Sequence, residues 1–486
     1  MMRRLAPFLA TLLAIIPGAA MAQGAPTIEG RRDGTLTLAG KRIAYTAEAG
    51  LFPVSSKPGR SDATAGYVAY VRRGANVARP VLFVFNGGPG AASAYLQMGA
   101  LGPMRARVPQ DPAASLPSEA QVAANPASLL DIADLVFLDP PGTGFSAITP
   151  NADVGFYQSV EGDADAVAQA AHAWLLANRR TGSPLFILGE SYGTIRAAAM
   201  VDALRARDAA LPVRGVLLFG QALNMIETSQ RPDNVVTYPV SLPTLAALAC
   251  YHGKRPRPCD PEESARDASA FGPAYLRALF LGRALDPHAR ALTAQTLEAL
   301  TGIPRAFYLA NDLRISKERF RVELLRDEGK VLGRYDARYT APRAADAGET
   351  VGPDAFSAVS DLYGKAVIGQ LARIGVRNPE RYNVLARVPG DWGYGAGDSP
   401  FNDWPFMAHL EAAMAANPQL RLFVGTGLYD LTTTVGAADY LFAQSNLPPE
   451  RFVNHRYPAG HVAYSDDPSW RKFVADIRKF IIGSAK

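Results

Sequence analysis

Five short, almost uninterrupted apolar runs constrain the fold most: VLFVF at 81–85, ADLVFL at 133–138, PLFILG at 184–189, VRGVLLFG at 213–220 and LRLFVGTG at 420–427. A strand wetted on one side alternates apolar and polar residues. These runs offer no polar face, so both sides must be covered. Helical stretches separate the middle runs, notably EGDADAVAQAAHAWLLANRR at 161–180. That rhythm predicts an α/β fold: a mostly parallel sheet flanked by helices. Ahead of it, TIEGRRDGTLTLAGKRIAYTAEAG at 27–50 alternates around Gly and Asp-Gly breaks, and GYVAYVRR follows at 66–73. Both read as antiparallel strands.

From 225 to 419 the rhythm stops. AYLRALFLGRAL and ALTAQTLEALTG carry helical periodicity among prolines. This segment is expected to be an inserted, mainly helical cap over the carboxyl edge of the sheet, where open α/β sheets bind ligands. The core then comprises 23–224 and 420–486.

Residues 1–22 read as a signal peptide. Arg3 and Arg4 precede the apolar stretch Leu5 to Ile16, then Pro17-Gly18 and Ala20-Met21-Ala22, an order that predicts export and cleavage after Ala22. The apolar stretch is too short to span a bilayer, which takes about 20 residues. No cysteine near the cleavage point suggests a lipid anchor, and the paired arginines lack the rest of a twin-arginine pattern. A periplasmic or extracellular location is expected, without a stable membrane anchor. There, Cys250 and Cys259 would close a small disulfide loop around HGKRPRP, two free thiols being the alternative. The net charge of +5 is spread along the chain without a Lys/Arg block, so nucleic-acid binding has no footprint. Neither an H-E-x-x-H pattern nor a His/Cys cluster is visible, and no metal or cofactor is expected.

The run PLFILG leads into Gly189-Glu190-Ser191-Tyr192-Gly193 and then IRAAAMV. A serine there sits on a tight strand-to-helix turn. The pattern alone is commonplace in a chain rich in Gly, Ala and Ser. Its context is not: an α/β-hydrolase needs an acid and then a histidine downstream. Asp430 follows the strand-like LRLFVGTG, and His461 follows the next strand and a Pro-Ala-Gly turn. Both loops fall at the carboxyl edge beside Ser191. His461 would take the Ser191 proton, and Asp430 would fix the imidazole tautomer. His172, His409 and His455 fall within helices or a strand, and His252 and His288 in the cap. Asp398, Asp403 and Asp439 are rival acids, but only Asp430 directly follows a strong late strand. VLFVF ends in Asn86-Gly87-Gly88-Pro89-Gly90; the amides of Gly88 and Tyr192 are the natural oxyanion hole. As a phosphate cradle this turn lacks the Lys-Ser/Thr ending.

FNGGPGAAS (85–93), NPASLLDIADLVFLDPPGTGFS (125–146), GESYG and the GLYDL/AGHVAY pair together resemble the serine carboxypeptidases, peptidase family S10. The resemblance implies an α/β-hydrolase that releases C-terminal amino acids through an acyl-enzyme. Its substrates would be peptides with a free C-terminus. It also implies that Asn86 donates to the substrate carboxylate and that Glu190 shares a proton with it. Two touching carboxylates cannot both ionise cheaply, so acidic pH would favour binding. Alternatively, Glu190 is an acid in the first turn of a helix. Several positions depart from the family pattern: Val84 replaces a usual Trp, Ala91-Ala92-Ser93 replaces Cys-Ser-Ser, and Ala100 replaces an acid. GTIRA after the serine is unusual, and Asp430 to His461 is a short interval. An esterase, an acyltransferase, another serine peptidase or an inactive binding protein are the alternatives. Side-chain preference and oligomeric state are not encoded in any motif here.

Overall fold

The computed structural model describes residues 26–485 except 77, 230, 257, 345–353, 389–390 and 396–405. The expected signal peptide, 1–22, therefore lies outside the described residues, as do the rival acids Asp398 and Asp403.

Nine strands form the central sheet: β1 (Thr27–Leu38), β2 (Lys41–Val54), β3 (Ala63–Arg72), β4 (Val81–Phe85), β5 (Asp134–Asp139), β6 (Leu185–Glu190), β7 (Val213–Phe219), β8 (Arg421–Gly427) and β9 (Phe452–Tyr457). Their order is β1-β2-β3-β5-β4-β6-β7-β8-β9. Pairing is antiparallel from β1 to the β3–β5 contact and parallel beyond it. Every residue of β4, β5 and β6 is buried, which is why these segments lack alternation. This is the mostly parallel, helix-flanked α/β sheet expected from the apolar runs.

The longer helices are α1 (Val160–Ala177), α2 (Tyr192–Arg207), α3 (Thr237–Tyr251), α4 (Pro261–Leu281), α5 (Pro287–Thr301), α6 (Ser357–Ile374), α7 (Phe406–Ala416), α8 (Val435–Gln444) and α9 (Asp467–Ser484). α1 starts where the Ser159 hydroxyl accepts from the Gly162 amide at 3.1 Å, with Glu161 and Asp163 in its positive first turn. α1, α2, α7 and α8 share one apolar core with one face of the sheet. α6 and α9 share the core on the other. Among the described residues no helix is long and apolar enough to cross a membrane.

The segment from 225 to 419 does not behave as one cap. α3, α4 and α5 build a separate apolar cluster that also takes in Leu428, Tyr429, Leu431 and Val435 from the turn after β8. α6 instead places Val359, Leu362, Tyr363, Val367, Leu371 and Ile374 in the sheet's core, and it contacts β1 and β2. α7 packs on α2. An amphipathic helix buries its stripe on whatever apolar surface is within reach; here the antiparallel edge supplies it. Cys250 and Cys259 are joined in a disulfide with Cα atoms 5.9 Å apart, closing the turn between α3 and α4.

Candidate active site

β4 and β6 are neighbours, with Phe85 opposite Gly189, so the turns that follow them emerge side by side. Ser191 occupies the second turn at φ 58°, ψ −128°, a strained conformation for a side-chain-bearing residue. Its amide donates to the Phe219 carbonyl at 2.8 Å, and the Thr194 amide and hydroxyl both donate to its own carbonyl, at 2.8 and 2.6 Å. Glycines make this geometry possible. A Cβ on Gly189 would stand 2.0 Å from the Gly193 carbonyl oxygen, and one on Gly87 would stand 2.5 Å from the Tyr192 amide nitrogen. The glycine turn therefore presses against the start of α2. Among the described residues neither the Gly88 nor the Tyr192 amide has a protein acceptor.

Asp430 and His461 arrive from two later loops. The Asp430 Oδ1 atom accepts from the amides of Thr432 at 2.7 Å and Thr433 at 3.0 Å; its Oδ2 accepts from the Thr433 hydroxyl at 2.6 Å. Oδ2 also meets His461 Nδ1 at 2.6 Å. An ionised carboxylate only accepts, so Nδ1 carries the proton and Nε2 keeps its lone pair. Burial favours the neutral ring, but the Asp430 charge and hydrogen bond outweigh it and hold His461 above its ordinary value. Ser191, His461, Glu190, Asn86, Gly87 and Gly88 line one cavity of about 190 Å³. Among the described residues no hydrogen bond yet joins the Ser191 hydroxyl to the ring. The other histidines do not line the cavity: His409 pairs with Asp202 at 2.6 Å, and His252 meets the Ala337 carbonyl at 2.8 Å. Asp439 is engaged by Asn454 and Arg456.

Asn86 and Glu190 are both buried and bonded, Nδ2 donating to Oε1 at 2.7 Å. The Leu96 amide donates to Asn86 Oδ1 at 3.1 Å, which turns the NH₂ group toward Glu190. Burial pushes the Glu190 carboxyl up to about 7, against the lowering influence of His461 and Asn86. Its other oxygen, Oε2, and the Tyr464 hydroxyl are buried and make no hydrogen bond among the described residues. The backbone of Ala100, where an acid was expected by resemblance, accepts from Trp470 at 3.1 Å and from Asn125 at 2.9 Å. Tyr464 is the group beside Glu190 instead.

Three supports were not visible as site residues in the sequence. Arg196, fully buried in α2, donates to Asp163 of α1 at 2.7 Å and to the Asn86 carbonyl at 2.6 Å, while the Tyr192 hydroxyl meets the same Asp163 oxygen at 3.1 Å. A lone arginine in the apolar run IRAAAMV was the available signal. Asp139 accepts from the Ser93 amide and hydroxyl at 2.8 and 2.7 Å and from the Tyr382 hydroxyl at 2.8 Å, anchoring the glycine turn from behind. Residues 334–337 lace the Asp430 and His461 loops: the Leu431 amide donates to the Arg334 carbonyl at 3.1 Å, and the His461 amide to the Tyr335 carbonyl at 2.6 Å. Asp336 also receives the Gly460 amide at 3.2 Å. Among the described residues no group of three His, Cys, Asp or Glu side chains could hold a metal ion.

The family model for serine carboxypeptidase matches residues 42–218, a stretch that holds Asn86, Glu190 and Ser191 but neither Asp430 nor His461. Among solved structures, the chain is similar to a prohormone-processing carboxypeptidase from Saccharomyces cerevisiae, at 15% identity and TM-score 0.51, covering 90% of this chain and 91% of that one. A proline iminopeptidase from Mycobacterium smegmatis matches at 13% identity and TM-score 0.34, over 93% and 99% of the two chains. The yeast likeness shows a common fold. No curated protein matches in sequence.

Gly220 tests how closely the ring is held. A Cβ there would lie 2.9 Å from His461 Cε1 and from Thr433 Oγ1, at a backbone φ of +56°. Gly220→Ala is expected to displace the ring and lower kcat/KM by ~10²-fold, as misplacement by about 1 Å does, with an unchanged far-ultraviolet circular dichroism spectrum. Activity within twofold of wild type would show that the ring tolerates the shift.

Proposed function

We propose that the chain is a serine-type hydrolase that releases the C-terminal residue of peptides through Ser191, His461 and Asp430, a reading supported by the serine carboxypeptidase model's match over residues 42–218. One observation carries the proposal: a buried carboxyl, Glu190, held by Asn86 and raised to about 7, in the same cavity as Ser191 and His461.

The steps follow from these groups. The Ser191 oxygen adds to the scissile carbonyl carbon while His461 Nε2 takes its proton. The carbonyl oxygen becomes an oxyanion, met by the free amides of Gly88 and Tyr192; one such donor is worth about 3–4 kcal/mol of barrier. Collapse breaks the C–N bond, His461 protonates the departing amine, and an ester to Ser191 remains. Water then adds, giving its proton to His461, and the second collapse returns that proton to Ser191. The serine–histidine hydrogen bond is of the kind that tightens only when substrate is bound.

Asn86 has a second amide hydrogen for the substrate's terminal carboxylate, and protonated Glu190 donates the other bond. A bound carboxylate raises the Glu190 pKa further. Binding is therefore complete below the free-enzyme value and is lost as pH rises through it. The reading includes export, which would give access to extracellular peptides, and the Cys250–Cys259 bridge suits an oxidising compartment. A mature N-terminus at Gln23 in periplasm or medium is the expected finding; retention of Met1 would refute export with cleavage.

The direct test compares one peptide with a free C-terminus, its C-terminal amide and a short-chain ester across pH 4 to 9. For the free peptide kcat/KM falls tenfold per unit above about pH 7, and it also falls in acid as His461 protonates. The ester lacks the alkaline fall. Glu190→Gln removes that limb from the free peptide, and Ser191→Ala abolishes all turnover. Cleavage of the ester alone would select the esterase or acyltransferase alternative, which Val84 and Ala100 keep in view.

A further inference from the structure

The Asp430 carboxylate is buried, and its partner ring is uncharged whenever His461 is in its base form. A buried charge is costly unless something compensates it. One source of compensation is visible in how Oδ1 is held. It accepts from the Thr433 amide at 3.0 Å. The carbonyl of that same peptide unit belongs to Thr432, and it accepts from the Lys317 ammonium, also at 3.0 Å. One peptide group thus lies between a cation and the carboxylate. Its positive end meets Asp430, its negative end meets Lys317, and hydrogen bonds in such a chain polarise one another.

Lys317 opens the short helix Lys317–Glu323, whose start is fixed where the Ser316 hydroxyl accepts from the Arg319 amide at 3.0 Å. The next residue, Glu318, accepts from Arg334 at 2.6 Å, and the Arg334 carbonyl takes the Leu431 amide. The helix that presents Lys317 is therefore tied to the Asp430 turn by a second route. Burial pulls the Lys317 ammonium below its ordinary value, while Asp430 and Glu318 raise it and Arg334 lowers it. The attraction between Lys317 and Asp430 is mutual. We propose that Lys317 is a positioning residue: through the Thr432–Thr433 peptide it steadies Asp430, and its charge opposes protonation of His461, leaving the ring free to act as a base at lower pH. This rests on the Ser191, His461 and Asp430 reading of the site. The other titratable groups facing the pair are Glu190 and Tyr335 on the His461 side and Glu318 and Arg334 on the Lys317 side.

The test uses the full-length mature enzyme and a short-chain ester, whose turnover calls on Ser191, His461 and Asp430 but not on a terminal carboxylate. Lys317→Gln keeps a donor for the Thr432 carbonyl and removes the charge; Lys317→Ala removes both. In Lys317→Ala kcat should fall about tenfold, the worth of one hydrogen bond to a charged group, with KM nearly unchanged. In both variants the acid limb of kcat/KM should move up by about half a pH unit, because no cation then opposes the proton on His461. Lys317→Arg should keep the wild-type limb. Lys317 lines a cavity of about 190 Å³ with Gln221, Met225 and Thr434, which gives a small amine a way in. Ethylammonium should therefore return the acid limb of Lys317→Ala toward wild type, and ethanol, which lacks the charge, should not. If the alanine variant fails to fold, Lys317→Gln carries the test, since the position of a pH limb does not depend on the fraction of active protein. An acid limb at the wild-type position in Lys317→Gln, or equal rescue by ethanol, overturns the role of Lys317 and leaves the reading of the three residues standing. Ester turnover that survives Ser191→Ala overturns both.

Discussion

Asn86 is the residue on which the site depends, because three of its polar groups are tied to three different parts of the molecule. Its carbonyl takes a hydrogen bond from Arg196 at 2.6 Å, its side-chain oxygen one from the Leu96 amide, and its NH₂ group donates to Glu190. The glycine turn after β4 and the serine turn after β6 are thereby fixed to each other as well as to the sheet. Arg196 is able to do this only because Asp163 neutralises it. An isolated guanidinium in that core would cost several kcal/mol in lost hydration, which the ion pair and its hydrogen bonds offset. The same Asp163 oxygen receives the Tyr192 hydroxyl. One buried charge pair thus braces both Asn86, which donates to Glu190, and Tyr192, the residue after Ser191.

Asp430 and His461 are held by different means. Leu428, Tyr429 and Leu431 anchor the Asp430 turn in the apolar cluster of α3, α4 and α5. The backbone of 334–337 then ties that turn to the His461 loop. The inserted segment therefore does two jobs. It lines the cavity with Tyr335 and with α6, and it ties the Asp430 turn to the His461 loop. Such ties carry little apolar area and rely on hydrogen bonds shielded from water, each contributing about 1 kcal/mol net.

What could be read in the sequence follows from how local each signal is. The parallel strands announced themselves because burial on both faces leaves continuous apolar runs. Ser191, Asp430 and His461 were singled out because each sits at a fixed offset from one of those strands; Ser191 and His461 line one cavity, and Asp430 is bonded to the His461 ring. The fate of α6 was not legible. Its apolar stripe shows that it packs, but not whether it packs on the cap or on the antiparallel edge. Arg196, Asp163 and Asp336 were missed for a related reason. A buried charge is recognisable only with its partner, and these partners lie 33, 110 or 124 residues away. Tyr464 beside Glu190 was hidden likewise, since proximity to His461 in the chain says nothing of which wall its ring reaches.

The most direct test is a crystal structure with a peptide phosphonate bearing a free terminal carboxylate. Phosphorus should be bonded to the Ser191 oxygen, with a phosphoryl oxygen about 2.7–3.1 Å from the amides of Gly88 and Tyr192. The terminal carboxylate should lie against Asn86 and Glu190. Phosphorus attached elsewhere, or a carboxylate pointing away from Asn86 while Ser191 is modified, would contradict the proposed mechanism.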